Sequence, residues 1–412
     1  GETWEFVFDQ PGIWDFHDHL KAELTGKVTV LGEFGSAARA CVDLRSGTSR
    51  ASCWETDFAK LIDEDGIDTA LDKFVEFYES EPNFNSYCHD IMHYVGRASY
   101  EVYKLDKKTI TRPETSYCGY GFYHGFVESA FEQESSAGLD VAKNYCADLA
   151  QNPNFGSRHI VGPTVSACKH GIGHAIFDSL DAELWGDYKL MTDAGIATCE
   201  NLYSDDEYSS VRCATGIYNS LTTALNNNYY YIDYPSAEEV VSFCTEQGDM
   251  YRPWCWVDMV PNYTKHYFYT LEERLDFAYK HIESKEGREL TVVSIMDDDF
   301  RSVEDPDINY YVSLCSSIED GDLKFACLQG ILSGVTYSSY TKNLASRLEE
   351  VCEVIEFDAD FKQVCENKSF WRLTSVTPID DLFDVCEEND LFGTICRQYD
   401  TWIERENNRQ NR

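Results

Sequence analysis

The chain has 412 residues, 43% of them hydrophobic, and this length predicts two or three folded units rather than a disordered polymer. Its 73 acidic and 34 basic residues give a formal net charge of −39, which argues against nucleic acids or anionic lipids as partners and favours cations. No segment approaches the ~18 consecutive apolar residues of a membrane helix, so we expect no membrane span. Gly1 begins a polar, strand-like run instead of a signal peptide, which predicts a processed or trimmed chain.

The first 32 residues have a β pattern that the rest of the chain lacks. Residues 3–8 alternate as a strand, Pro11-Gly12 predicts a turn, and residues 13–19 and 26–31 predict two further strands. We therefore expect a short β segment at residues 1–32.

This β segment resembles the carboxy-terminal end of a cupredoxin (plastocyanin-like) domain. The resemblance lies in the run GIWDFHDH at residues 12–19 and the run LTGKVTV at 24–30. It implies an aromatic strand, a loop carrying Cys, His and Met copper ligands, and a last strand. This chain has Phe16-His17 where the family has Cys and Leu24 where it has Met, and His19 alone matches a ligand position. A blue-copper centre is therefore not expected, whereas His17 and His19 could hold copper of another type or be the remnant of a site.

Three strands are only the last third of a cupredoxin sandwich. Either the chain has lost the preceding part of the domain, or another protein or subunit supplies the missing strands by strand addition.

Residues 33–57, with Cys41 and Cys53, are interpreted as a linker, and residues 58–412 as a helical domain. Apolar side chains recur there at spacings of three and four, which is typical of helices with one buried face. The first predicted helical segment is 58–78. The later ones are 86–105, 119–133, 138–152, 167–180, 187–202, 209–226, 236–247, 271–284, 308–318, 322–336, 343–356, 360–371 and 380–404. The fold class is thus mainly α, a series of helical hairpins forming an open solenoid or a closed α/α ring.

The sixteen cysteines fall into consecutive couples, and six of the eight couples are 10 to 14 residues apart. In the later part of the chain the first member ends one helical pattern and the second begins the next, so a disulfide would join each helix-loop-helix corner. Disulfides predict an oxidising compartment, hence a secreted, periplasmic or cell-surface protein; reduced thiols that bind metal are the alternative. The predicted couples are Cys41/Cys53, Cys88/Cys118, Cys146/Cys168, Cys199/Cys213, Cys244/Cys255, Cys315/Cys327, Cys352/Cys365 and Cys386/Cys396.

A loose internal repeat uses these cysteines as its frame. A glycine follows three residues after the cysteine, and a His or polar residue follows six after it, as in Cys118-Gly121-His124. The other copies are Cys168-Gly171-His174, Cys213-Gly216-Asn219 and the half-copy Cys327-Gly330. The glycine predicts a close backbone approach at a helix start, although simple corner geometry would also explain it.

Five of the ten histidines lie in three successive repeat helices within residues 86–180. His89 and His93 are four residues apart, as are His170 and His174, and His124 precedes Glu128 by four. A spacing of four places two side chains on one helical face, which suits ligands of one metal or of two adjacent metals. The imidazole-rich set favours copper, with zinc or iron as alternatives, over calcium or magnesium. Incidental surface or capping histidines are the competing interpretation.

Asp90, between the two histidines of the first helix, is a weak candidate for a catalytic base or an acceptor that orients a ligand. A solvated helix residue is an equally good interpretation. The motifs of phosphate loops, hydrolase elbows, haem attachment and zinc proteases are absent from the sequence.

Three functions remain open at this stage. The first is an exported metalloprotein with a His-rich, copper-favoured centre, acting as a redox enzyme or, with zinc, as a hydrolase. The second is a structural protein that assembles into a filament or surface layer by strand addition, and the third is a copper carrier or store without catalysis.

Overall fold

A computed structural model describes residues 12–18, 21–30, 47–81, 87–107, 112–151, 158–303 and 306–338, and positions 41, 44, 84, 110, 351–353 and 365. The chain divides into two compact units, Gly1–Asn154 and Phe155–Arg412, so the division falls inside the segment that the sequence analysis treats as one helical domain. Within the described residues the protein is mainly helical, as predicted. The predicted helical segments 343–356, 360–371 and 380–404 lie wholly or mostly outside these residues.

The described part of the first unit begins with an antiparallel two-stranded hairpin, β1 (Gly12–Asp18) paired with β2 (Lys21–Val30). The register joins Gly12 to Val30, with an irregularity between His17 and Asp18. β2 begins five residues before the predicted start at 26, and the predicted strand at 3–8 lies outside the described residues. The resemblance to a cupredoxin stays a prediction.

Five helices with described bounds follow in the first unit. They are α1 (Gly47–Asp65), α2 (Ile67–Ser80), α3 (Cys88–Asp106), α4 (Gly121–Glu134) and α5 (Ser136–Gln151), with two short 3₁₀ turns, Pro113–Ser116 and Cys118–Tyr120, before α4. α1 begins inside residues 33–57, so the predicted linker is partly helical. Its buried Trp54 and Phe58 contact Phe84 at ring-centroid distances of 5.1 and 6.0 Å, which explains why this segment packs instead of linking.

The described part of the second unit contains nine helices in two interleaved series. The bounds are α6 (Arg158–Asp178), α7 (Tyr188–Leu202), α8 (Glu207–Asn227), α9 (Ala237–Glu246), α10 (Arg252–Tyr267), α11 (Leu271–His281), α12 (Lys285–Ser302), α13 (Ile308–Ser316) and α14 (Gly321–Ser338). The even-numbered helices α6 to α14 pack successively against one another, and α7, α9, α11 and α13 each pack against the even-numbered helix that follows. This arrangement is a row of helical hairpins, as the repeat predicts.

Local sequence signals explain where these helices begin. Ser236 and Thr270 form capping boxes with Glu239 and Glu273 at the starts of α9 and α11. Asp187 accepts hydrogen bonds from the backbone N–H groups at the start of α7, which satisfies donors that have no partner inside the helix.

Helices α10 and α12 were missing from the predicted segments. Pro261 lies inside α10. A proline inside a helix removes a backbone donor, so its presence in the sequence argues against a helix there. The acidic run 297–299 lies within α12. Buried Arg274 pairs with Asp298 and Asp299 at 3.0 and 3.2 Å, and this neutralisation allows the acidic run to pack.

The disulfides follow the predicted nearest-neighbour pattern wherever a pair is described. Six pairs have Cα–Cα distances of 5.3 to 5.8 Å: Cys41–Cys53, Cys88–Cys118, Cys199–Cys213, Cys244–Cys255, Cys315–Cys327 and Cys352–Cys365. Cys146 and Cys168 are also disulfide-bonded, and no described cysteine is free. Cys386 and Cys396 lie outside the described residues. Three bridges join the end of an odd-numbered helix to the start of the next even-numbered one in the second unit.

Three of the four repeat glycines, Gly121, Gly216 and Gly330, lie where two helix backbones nearly touch. A Cβ atom at Gly121 would lie 2.4 Å from the carbonyl oxygen of His89, and one at Gly216 would lie 2.0 Å from that of His170. At Gly330 the corresponding oxygen is that of Val293, 2.5 Å away. Only glycine fits at such distances, so the predicted close approach is confirmed. Its predicted place at a helix start holds for Gly121 but is wrong for Gly216 and Gly330, which lie in the middle of α8 and α14. The same contacts make His89, His170 and Val293 equivalent positions of the repeat.

Candidate metal centre

The first unit brings three of the predicted histidines together. His89 and His93 lie one turn apart on α3, and their Nε2 atoms are 3.1 Å apart. His124, from α4, is 5% exposed, and its ring centroid lies 5.4 Å from that of His89 and 5.2 Å from that of His93. The three side chains each offer a ligand nitrogen, and these nitrogens lie within 4.8 Å of one another. This set can hold a metal ion.

The spacing of the two Nε2 atoms fits a shared metal. Imidazole nitrogens bind zinc at about 2.0–2.1 Å, so two ligands at angles between 90° and the tetrahedral angle are about 2.9 to 3.4 Å apart. The observed 3.1 Å lies within this interval. The helical spacing of four residues is therefore sufficient to bring both nitrogens to one ion without any rearrangement of α3.

The hydrogen-bond partners of the two Nδ1 atoms fix where the imidazole protons are. His89 Nδ1 lies 2.7 Å from the carbonyl oxygen of Cys118, and His93 Nδ1 lies 3.3 Å from Oε2 of Glu128. A carbonyl and a carboxylate only accept hydrogen bonds, so each Nδ1 must donate. In a neutral imidazole the opposite nitrogen, Nε2, then carries a lone pair.

Two lone pairs that face each other at 3.1 Å repel unless a cation lies between them or one ring gains a proton. Burial lowers the pKa of His89, and the charge of His93 lowers it further, which favours a neutral His89 ring. The arrangement therefore has the electronic character of a preformed ligand pair that could accept a metal cation.

Glu128 has a different place from the one predicted for it. Its carboxylate lies beside the Nδ1 side of His93, and the guanidinium of Arg97 lies 3.3 Å from the same oxygen. Carboxylates that accept from the far nitrogen of a ligand histidine fix its tautomer and raise its basicity. Arg97 also pairs with Glu132 at 2.6 Å, which holds this group of side chains in position.

The helix pair that carries the centre is unusually close. A Cβ atom at Gly96 would lie 1.9 Å from the carbonyl oxygen of Phe122, and one at Gly125 would lie 1.9 Å from that of His93. These glycines allow α3 and α4 to approach until His124 reaches the other two imidazoles. The Cys88–Cys118 disulfide ties the start of α3 to the turn whose carbonyl orients His89.

The second unit contains a similar pair on α6. His170 and His174 have their Nε2 atoms 3.0 Å apart. His170 Nδ1 lies 2.7 Å from Oγ1 of Thr215, and this hydroxyl donates its hydrogen to the carbonyl of Arg212. Thr215 must therefore accept from His170, so Nδ1 of His170 carries the proton and its Nε2 carries a lone pair. His174 Nδ1 lies 2.8 Å from Ser220 Oγ, a group that can donate or accept.

Several residues that orient the histidines are not among the predicted metal ligands. Thr215, Ser220 and the Cys118 carbonyl come from other turns and helices, 29 to 46 residues from the ring they contact. Arg97 lies on α3 itself and acts through Glu128 of α4. Thr215 and Ser220 follow the repeat cysteine Cys213 by two and seven residues, so their places in the repeat are the only sequence signal for them.

The remaining candidates stand apart from these clusters. Asp90 is exposed on α3. His17 lies in β1, opposite Thr25, and His19 lies outside the described residues, so the second possible metal site stays a prediction. Cys41, Cys53 and Asp57 also lie close together, but both sulfurs are in a disulfide and are not available as thiolate ligands.

Comparison with the profiles of known protein families, with curated proteins and with solved structures gives no match to this chain. Among the described residues, no helix has both the length and the apolar character needed to cross a bilayer.

Proposed function

We propose that this protein is an exported metal-binding protein whose centre is formed by His89, His93 and His124. The observation that supports this most strongly is the pair of Nε2 lone pairs at 3.1 Å, each fixed by an acceptor on the other side of its ring. The disulfide-bonded cysteines support export to an oxidising compartment.

Copper is the first choice of metal. Three imidazoles without a thiolate suit copper, zinc or iron, and the affinity of nitrogen ligands for divalent metals peaks at copper. Three protein ligands leave at least one coordination position for water or a small ligand, as in catalytic rather than structural zinc sites. A redox or hydrolytic reaction at that position belongs to this proposal.

The proposal is tested by metal titration. Protein treated with chelator and dialysed is titrated with Cu²⁺ and with Zn²⁺ by calorimetry, and bound metal is counted by mass spectrometry. We expect His93→Gln and His124→Gln each to weaken binding at the first-unit centre at least 100-fold, because each removes one of three ligands. His266→Gln is the matched control, since His266 is exposed and stacked on Tyr234 at 3.9 Å.

The triple variant of His89, His93 and His124 is expected to bind at least one equivalent of metal less than the unmodified protein. Unchanged stoichiometry and affinity in a triple variant that keeps its helical circular dichroism would contradict the proposal.

A further inference from the structure

A cavity of about 460 Å³, open to solvent on one side, lies between α11 and α13 in the second unit, far in sequence from His89, His93 and His124. Its apolar surface comes from Leu275 of α11, which is buried, and from the half-buried Leu314 and Ile318. This volume is within the range of roughly 300–1,000 Å³ typical of small-molecule sites. The cavity can therefore accept an apolar group of a few carbon atoms to a small aromatic ring.

The edge of the cavity is acidic. Four exposed carboxylates line it, those of Glu272, Asp276, Glu319 and Asp320. Lys280, which pairs with Asp276 at 2.6 Å, offsets one of the four negative charges. The surroundings of the cavity thus keep a net negative charge, which selects against anions and favours a cation.

The acidic groups are not all engaged to the same extent. Glu272 accepts from the Tyr310 hydroxyl at 3.1 Å, and Asp320 accepts from the backbone N–H groups of Asp322 and Leu323. Glu319 has no hydrogen bond or ion pair to any residue that the structure describes. Its carboxylate is available to a ligand without breaking an existing contact.

Tyr279 adds a polar group at the wall of the cavity. Its hydroxyl oxygen is buried and has no hydrogen-bond partner within the described part of the protein. A buried polar atom without a partner is unfavourable, so a ligand that hydrogen-bonds to this oxygen would satisfy it. An N–H donor of a cationic ligand can do so.

We propose that this cavity binds a small organic cation with an apolar body, namely an aryl- or alkylammonium compound. The apolar part lies against Leu275, Leu314 and Ile318, and the ammonium group lies at the edge near Glu319 and the Tyr279 hydroxyl. The combination of an apolar wall and an acidic edge distinguishes such a ligand from a metal cation, which gains nothing from the apolar surface.

The test uses phenethylammonium as the probe and 2-phenylethanol as its neutral counterpart of nearly the same shape. Binding to the full chain is measured by calorimetry and by ligand-observed NMR at fixed ionic strength. We expect the cation to bind at least tenfold more tightly than the alcohol. Because the chain carries a net charge of −39, tetramethylammonium is included as a cation with little apolar body, and we expect it to bind at least tenfold more weakly than phenethylammonium.

The variants separate this cavity from general attraction to an acidic surface. The Glu272→Gln/Glu319→Gln double variant is expected to lower affinity for phenethylammonium about tenfold and to leave 2-phenylethanol unaffected. Glu183→Gln replaces an exposed acid outside the cavity and is the matched control. It should change the affinity for neither ligand. Tyr279→Phe is expected to weaken the binding of phenethylammonium more than the binding of 2-phenylethanol.

Equal binding of cation and alcohol, or full affinity in a folded double variant, would overturn the proposal. Because no histidine lines the cavity, the same titration on the His89/His93/His124 triple variant should give the same affinity for phenethylammonium. The outcome therefore does not depend on whether the first unit binds metal.

Discussion

At the scale of single residues, the orientation of each imidazole decides what the histidines can do. The sequence was sufficient to predict that His89 and His93 share a helical face, because the spacing of four residues follows from helix geometry alone. It could not predict that Cys118 and Glu128 would hold both Nδ1 atoms, because these contacts form only when α3 and α4 pack. Glu128 was accordingly expected to bind the metal, whereas the structure places it beside His93 and Arg97.

Asp57 is a residue whose protonation should affect stability. It is 1% exposed on α1, and burial raises its pKa to about 6 from 3.8, an effect that Lys60 partly opposes. Its Oδ2 lies 3.6 Å from Sγ of Cys41, which is in a disulfide and has no hydrogen to donate, so this contact is a hydrogen bond only when Asp57 is protonated.

The raised pKa predicts a loss of stability between about pH 4 and pH 6. The folded state binds the Asp57 proton more tightly than the unfolded chain does, so its contribution is fully present below pH 3.8 and is lost as the pH rises through about 6. Asp57→Asn should therefore increase the free energy of unfolding at pH 8 by about 2 kcal/mol relative to its effect at pH 4.

Denaturant unfolding at both pH values measures this difference, with the exposed Asp65→Asn as the matched control. A variant effect at Asp57 that does not change with pH would show that this carboxyl titrates as it does in an unfolded chain.

At the scale of helices, the repeat glycines determine how close two neighbours can be. The sequence showed where these glycines recur, and the structure shows that Gly121, Gly216 and Gly330 each face a carbonyl of the preceding helix in its packed pair. Helices α10 and α12 could not be predicted with equal ease. Pro261 interrupts the pattern of α10, and two carboxylates of the acidic run in α12 pair with side chains from other helices, among them Arg274 and Lys265.

Gly125→Ala tests the importance of the close approach of α3 and α4. At an exposed position inside a helix, replacing glycine with alanine stabilises the helix by about 1 kcal/mol. At position 125, however, the Cβ of alanine would lie 1.9 Å from the carbonyl oxygen of His93. We expect a net destabilisation of about 1–3 kcal/mol from the forced separation, and weaker metal binding because His93 and His124 move apart.

Gly321→Ala is the control, because a Cβ at Gly321 meets no atom within 4 Å. Thermal unfolding and the metal titration are measured on both variants. We expect the control variant to keep nearly the same unfolding temperature and the same affinity for metal. Equal behaviour of the two variants would mean that the separation of α3 and α4 is not fixed by Gly125.

At the scale of the whole molecule, two features stand together. The described helical hairpins are joined by disulfides, and the chain as a whole has a high negative charge. Sequence spacing alone predicted the nearest-neighbour disulfides and the helical class, because cysteine couples at 10 to 14 residues recur with the helical pattern. The charge supports cations as partners over nucleic acids but identifies no particular cation, since exposed acidic groups attract all of them within a Debye length. The choice of metal depends instead on the three imidazoles.

The most direct test of the metal centre is anomalous diffraction from crystals of the full chain loaded with copper or with zinc. Data collected on both sides of each metal's absorption edge locate the ion and identify it. We predict an anomalous peak about 2.0–2.1 Å from Nε2 of both His89 and His93, with His124 as a further ligand. Stoichiometric metal with no anomalous peak between these side chains, or a peak bound by other residues alone, would contradict the account.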